Sequence, residues 1–148
     1  FFKCAHPQQN AKIIDVGTGA GFPGMVLKIV RPDLNVTLLD GLNKRLVFLS
    51  EVAKETGLDV ELLHLRAEEG GRKETLREQY DFACARAVAP LNVLLEYCAP
   101  FVKKGGSFIA LKGPAAADEV AASGNAAKLL GMDKFEKVKL FQCFLYQN

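Results

Sequence analysis

Asp15-Val16-Gly17-Thr18-Gly19-Ala20-Gly21-Phe22-Pro23-Gly24 is the stretch on which the reading of this chain turns. Before it stands Lys12–Val16 (KIIDV), apolar and β-branched, which predicts a buried strand. After it, the residues from about Pro23 to Val30 predict a helix. Pro23 can take the first helical position, where a missing N–H loses no partner, and Pro32 stops the helix. Glycine permits positive φ and lets a ligand approach the main chain closely. A bare G-x-G is weak evidence. Here it has a strand before it, a helix after it and an acid downstream: Asp40 ends the second predicted strand, Val36–Asp40 (VTLLD), 19 residues beyond Gly21. A carboxylate at that place can accept hydrogen bonds from both hydroxyls of a ribose. Together these features predict a ligand containing adenosine. The plainer alternative, a tight turn followed by a solvated Asp, leaves three alternating glycines at a strand end unexplained.

Working outward, strands and helices alternate. Leu42–Thr56 predicts an amphipathic helix with Leu42, Leu46, Leu49, Val52 and Ala53 on one face and Gly57 at its C-terminal cap. Val60–Leu65 predicts a third strand, with His64 packed inside it. Arg66–Gln79 is polar and predicts a loop with a short helix near Lys73–Glu78. Tyr80–Ala87 predicts a fourth strand. Pro90–Val102 predicts a helix, bent or stopped early at Pro100 and ended by Lys103-Lys104-Gly105-Gly106, whose lysines suit the negative end of a helix dipole. Ser107–Leu111 predicts a fifth strand, Ala115–Leu130 a helix, and Phe135–Tyr146 a sixth extended segment. Near-continuous apolar strands separated by helices predict a doubly wound, mostly parallel α/β sheet. Ligands of such sheets bind beyond the C-terminal strand ends, where the glycine turn and Asp40 stand.

Composition sets the bounds. A chain of 148 residues, 49% hydrophobic and 24% charged, suits one domain with one core and excludes a disordered or fibrous class. No apolar run is long enough to span a membrane, and FFKCAHP lacks the apolar region of a signal peptide. The formal net charge of +2 is too small for nucleic acid to be held by charge alone. Cys4, Cys84, Cys98 and Cys143 form no C-x-x-C pair and the two histidines are isolated, so no metal site is expected. Cys84, Cys98 and Cys143 sit among apolar residues and read as buried thiols, which suits a reducing cytoplasm.

Two adenosine ligands compete. Gly19-Ala-Gly21-Phe-Pro-Gly24 also fits the dinucleotide pattern G-x-G-x-x-G, so an NAD-dependent oxidoreductase is the rival. Asp15 argues against it, because a carboxylate beside the loop would repel a pyrophosphate and welcome the cationic sulfonium and ammonium of S-adenosylmethionine. The chain is also too short for a dehydrogenase substrate domain.

DVGTGAGFPG, VTLLDGLNKRLVFL, RAEE, ARAVAPL and ALKG together resemble the glucose-inhibited division protein B family, from about Ala11 to Leu130. The resemblance implies a Rossmann-like class I S-adenosylmethionine-dependent methyltransferase that modifies a guanine N7 in small-subunit (16S) ribosomal RNA. It implies cofactor contacts from the glycine loop (Gly17, Gly19, Gly21), Phe22, Ala67 with Glu68, and Arg86, with Asp40 on the ribose. Each has a plainer reading. Phe22 could staple the next helix, Glu68 could cap the loop with Glu69 equally placed, and Arg86 could make a surface ion pair. No general base is expected, because N7 carries a lone pair and no proton. Lys112 reads equally as an RNA phosphate contact or a solvated lysine. Lys44, Arg45, Arg66, Arg72 and Lys73 are further candidates that read singly as solvated charges. The expected partner is ribosomal RNA or the small ribosomal subunit, in the cytoplasm, with no membrane. A methyltransferase with another substrate and an inactive core remain as alternatives.

The chain departs from the family pattern at both ends. Residues 1–10 (FFKCAHPQQN) do not resemble the family's helical N-terminal segment and are expected to be a remnant ahead of a methyltransferase domain at 11–148. The family's last two strands, the final one antiparallel and inserted, are expected to be incomplete, leaving an open sheet edge.

Overall fold

Strand β1 (Lys12–Val16) exposes only Lys12 and buries its other four residues. A strand covered on both faces belongs in the middle of a sheet, and β1 lies there, parallel to β2 (Asn35–Asp40) on one side and to β4 (Tyr80–Arg86) on the other. The structure, a computed structural model, describes residues 1–86, 88–113, 116–132, 134–138 and 143–147, the last two segments and residues 116–117 as backbone only. β3 (Glu61–His64) pairs parallel to β2, and β5 (Val102–Leu111) pairs parallel to β4. The full order is β3-β2-β1-β4-β5-β7-β6, with β6 at Lys134–Val138 and β7 at Cys143–Gln147. The five parallel strands and flanking helices form a doubly wound α/β layer whose winding reverses at β1.

Alternate side chains of β1 feed two cores. Ile13 joins Leu27, Leu34, Leu38, Leu46 and Leu49, which come from α1 (Gly24–Val30), β2, α2 (Asn43–Thr56) and the turn between them. Ile14 and Val16 join Leu39 with Leu91, Leu94, Leu95 and Phe101, from α4 (Leu91–Cys98) and the 3-10 turn Ala99–Phe101. Each fully buried aliphatic side chain contributes about 1.5–3 kcal/mol. Helix α2 ends at Gly57, whose φ of +66° closes it with a left-handed cap. Helix α5 (Ala116–Leu129) packs on α4 and adds Ala127 to the second core.

Several boundaries differ from expectation, each for a physical reason. Leu42 is the N-cap of α2, 43% exposed, and so does not share the buried face of Leu46, Leu49 and Ala53. His64 is exposed, not packed: β3 is the sheet's edge strand, and the ring reaches the Gly41 carbonyl at 3.2 Å. The short helix falls at α3 (Ala67–Gly70), where Glu68 and Glu69 favour a first turn, and not at Lys73–Glu78, which is a series of turns. Pro100 ends α4 early. Lys103-Lys104-Gly105-Gly106 therefore caps no helix; it opens β5 as an irregularity, with Tyr80 opposite Val102 and Phe82 opposite Ser107. Lys103 pairs with Asp81 on the neighbouring strand instead.

Residues near both ends of the sequence make contacts with the sheet. Phe1, Phe2 and buried Ala5 pack against the first core, and Phe1 meets Phe82 edge to face at 5.8 Å. The single extended segment expected at Phe135–Tyr146 is two strands, with β7 inserted antiparallel between β5 and β6. β7 therefore covers the flank of β5 along Ser107–Leu111. Cys84 and Cys98 are free and fully buried, and burial pushes both thiols well above their ordinary pKa. The side chain of Cys143 lies outside the described residues, as does Ala87 at the expected end of β4.

Candidate active site

The glycine loop is tied to the end of β2. The N–H groups of Gly17 and Thr18 both donate to the Leu39 carbonyl, at 2.8 and 3.1 Å, and the Gly19 N–H donates to Asp40 Oδ2 at 2.9 Å. The three glycines serve different ends. All have positive φ, +71°, +60° and +90° for Gly17, Gly19 and Gly21. A Cβ on Gly19 would meet nothing closer than the Gly17 carbonyl at 4.0 Å, so its main chain lies open. A Cβ on Gly17 would strike Val88 Cγ2 at 2.8 Å, and one on Gly21 would strike Met25 Cγ at 2.6 Å. Gly21 is accordingly a packing glycine: a Cβ there would meet Met25 and Leu49.

Beyond the loop opens a cleft of about 780 Å³, a volume suited to a cofactor-sized ligand. Of the residues predicted for the site, Gly17, Gly19, Phe22, Asp40, Ala67, Glu68 and Arg86 line it; Gly21 does not. Glu68, not Glu69, faces the cleft. The sequence reading missed Arg45 and Arg66 as lining groups, and Val88 and Tyr97 altogether. A signal for Arg66 existed in its place directly after β3. Tyr97 carries none, since it projects from α4, an element with no motif.

Asp40 is 2% exposed, and both its oxygens are engaged. Oδ1 accepts from the Leu42 N–H at 2.9 Å, Oδ2 from Gly19, and the Arg45 guanidinium spans both at 3.2 and 3.4 Å. The two N–H groups aim the carboxylate. Arg45, about half exposed, is a weakly held third partner. Across the cleft the Arg86 guanidinium carbon lies 5.2 Å from the centre of the Phe22 ring, a cation–π contact. That contact gives both exposed side chains a defined position without burying either. The negative charge of Glu68, and then its hydrogen bond, push the Tyr97 phenol above its ordinary pKa.

Asp15 does not reach the cleft. It lies fully buried beneath the loop, where Oδ2 accepts from Thr18 Oγ1 at 2.7 Å and from the Gly24 N–H at 2.8 Å. Oδ1 has no protein partner. Burial raises its pKa to about 6, against the opposing pull of those two hydrogen bonds. The expectation that its charge faces a cationic ligand is therefore overturned: Asp15 fastens the start of α1 to the loop. Lys112 is also corrected. It is neither solvated nor free for a phosphate, because Nζ, with its side chain 8% exposed, pairs with Glu119 at 2.8 Å and donates to the Ala89 carbonyl at 2.7 Å.

Among the described residues no group of three potential metal ligands converges, and no helix is long and apolar enough to cross a membrane.

A glycine turn between β1 and α1, an acid at the end of β2 and a cleft over the reversal of strand order define the class I, Rossmann-like methyltransferase fold. Solved structures share it: an S-adenosylmethionine-dependent methyltransferase from Aquifex aeolicus superposes with a TM-score of 0.67 at 20% identity, over 98% of this chain and 85% of that one. A putative S-adenosyl-L-methionine-dependent methyltransferase from Methanococcus maripaludis gives 0.75 at 12% identity, over 94% and 77%. Within that class the chain belongs to the GidB family, rRNA small subunit methyltransferase G, whose profile matches residues 1–143. Proteins named ribosomal RNA small subunit methyltransferase G are 60% identical over 125 residues in Alkaliphilus metalliredigens and 56% identical over 122 residues in Clostridium beijerinckii. These alignments cover 84% and 82% of this chain but 52% and 51% of the relatives, so the chain spans about half the length of the curated relatives it matches.

Proposed function

We propose that this chain binds S-adenosylmethionine in the cleft between the glycine loop and Asp40 and directs methyl transfer to a guanine N7 of small-subunit ribosomal RNA, in the cytoplasm. The observation that carries the reading is the Gly19–Asp40 hydrogen bond. It places an open main-chain cradle and a buried carboxylate side by side at the switch point. The residues suit the cofactor: the absent Cβ of Gly19 leaves room against main chain, and two carboxylates, Asp40 and Glu68, line a cleft of matching size.

When bound, the cofactor supplies an electrophilic methyl on a cationic sulfur. Asp40 accepts from the ribose hydroxyls, using the lone pairs that Arg45 spans in the free protein. Gly17 and Gly19 present main chain. Glu68, oriented by Tyr97, and Arg86, steadied on Phe22, bind at the opposite side. No side chain need remove a proton, because N7 attacks with a free lone pair. The chain's contribution is therefore to hold acceptor, methyl and sulfur in line, an effect worth about 7–11 kcal/mol at most. The guanine must leave its stack to enter the cleft.

Calorimetry with S-adenosylmethionine and with NAD tests the cofactor, and methyl transfer from labelled cofactor to small ribosomal subunits tests the acceptor, with free guanosine and bulk protein as controls. Binding of S-adenosylmethionine but not NAD, with label confined to ribosomal RNA, is expected. Label in the controls points to another substrate, and cofactor binding without transfer identifies a core that needs the remainder of the longer relatives.

A further inference from the structure

One wall of the cleft is held from behind by an ion pair that no cofactor motif includes. The wall comprises Arg86 at the end of β4, Val88 in the connection to α4, and Tyr97 on α4 itself. Val88 rests directly on Gly17, leaving no room for a Cβ there. Behind this segment, Lys112 Nζ donates to the Ala89 carbonyl at 2.7 Å, and Glu119 Oε2 accepts from the Leu91 N–H at 2.8 Å. Lys112 and Glu119 also pair with each other at 2.8 Å. Pro90, which has no N–H to contribute, is thus bracketed by two anchors on one ion pair. The Leu91 N–H is one of the donors that a helix start leaves unpaired, and Pro90 at the N-cap offers no side-chain oxygen for it. Glu119 supplies that acceptor from α5, a different element.

We propose that Lys112 and Glu119 are positioning residues that clamp the Val88–Leu91 connection onto Gly17 and so hold the Arg86–Tyr97 wall at its distance from the glycine loop. This rests on the reading of the cleft as the cofactor site. The pair is well placed for the task. Lys112 is almost wholly desolvated, so its bonds are screened little by salt. Lys112 follows β5 directly and is therefore anchored to the sheet, while Glu119 sits in the first turn of α5, where a negative charge is favoured. Its partnership with Lys112, then the Leu91 N–H, holds its carboxyl below the ordinary carboxylate range.

The test compares the whole chain with Lys112→Met, Glu119→Met and the double variant, using S-adenosylhomocysteine as the calorimetric probe well below each thermal midpoint. Amide exchange at Val88, Ala89 and Leu91 is followed in the same proteins without ligand. Each single variant should bind the probe about tenfold more weakly, and the double variant no worse than the weaker single, because one clamp is broken once. Exchange at Leu91 should rise at least tenfold while that of Ile13 and Ala83 stays unchanged. Lowered midpoints with unchanged probe affinity would reduce the pair to a stability element and overturn the proposal; so would unchanged exchange at Leu91. A parent chain that binds no probe, with exchange still accelerated in the variants, would instead defeat the cofactor reading and leave the clamp in place.

Discussion

At the scale of single residues, Asp15 is the most consequential side chain that the cleft does not contain. Its folded pKa of about 6 lies above the ordinary 3.8. The sign follows: with the native pKa raised, its contribution to stability is full below pH 4 and is lost as pH climbs toward and through 6. A rise of about two units corresponds to roughly 3 kcal/mol. Asp33, Asp81 and Glu119 have lowered pKa values and act with the opposite sign, so the informative quantity is a difference. Asp15→Asn keeps an acceptor for the Gly24 N–H, and relative to the parent its thermal midpoint should gain between pH 4 and 7. A constant difference across that range would contradict the assignment. Arg86→Ala belongs to the same scale. The guanidinium is exposed, so stability in urea should change by no more than about 0.5 kcal/mol, while cofactor affinity falls several-fold in calorimetry. Loss of folding with intact affinity per folded molecule would remove Arg86 from the site. Asp40→Ala should weaken the cofactor by about 1–3 kcal/mol, a hydrogen-bond-sized loss; unchanged affinity in the same measurement would exclude it.

At the scale of elements, what could be read beforehand divides by the kind of force involved. Strands β1 to β5 and helices α1, α2 and α4 were legible because burial on both faces leaves apolar runs and Gly or Pro marks their ends. The β5 irregularity was not, since Lys103-Lys104-Gly105-Gly106 has the composition of a helix terminus and only pairing with β4 makes it a strand. The C-terminal pair was read as one strand because the residues between β6 and β7 carry no Gly, Pro, Asn or Asp to announce a turn. In the site, glycines and acids at strand ends were legible because position alone implies a role. Tyr97 and the Lys112–Glu119 pair were not, because contacts between α4, β5 and α5 leave no local pattern. Removal of residues 133–148 would uncover β5 along Ser107–Leu111, whose register β7 now satisfies. Such a truncation should aggregate at micromolar concentration by light scattering. A monodisperse, cofactor-binding product would show that β7 is dispensable.

At the scale of the molecule, the near-balanced charge limits how the proposed RNA substrate could be held. The formal net charge is +2, and of the cations at the cleft Arg45 and Arg86 already have partners in Asp40 and Phe22. Lys44, Arg66, Arg72 and Lys73 are exposed, and Arg66 lines the cleft. About four phosphate contacts give a slope near −3 to −4 in log affinity against log salt. Titration of small ribosomal subunits at several salt concentrations measures it, and a slope steeper than about −6 would mean that cations elsewhere dominate. The doubly wound architecture itself was foreseen from the alternation of elements, since Ile13 and Ile14 point to opposite cores and demand cover on both faces.

The order β5-β7-β6 also has a consequence in time. During translation β6 emerges first, yet among the described residues its only ladder partner is β7, the later segment. Until residues 143–147 clear the ribosome, β6 has no place to dock and β5 keeps a bare flank. A nascent chain can thus assemble its parallel half early, but it must carry an unfinished border until β7 has emerged, the interval in which it most needs shelter from neighbouring chains.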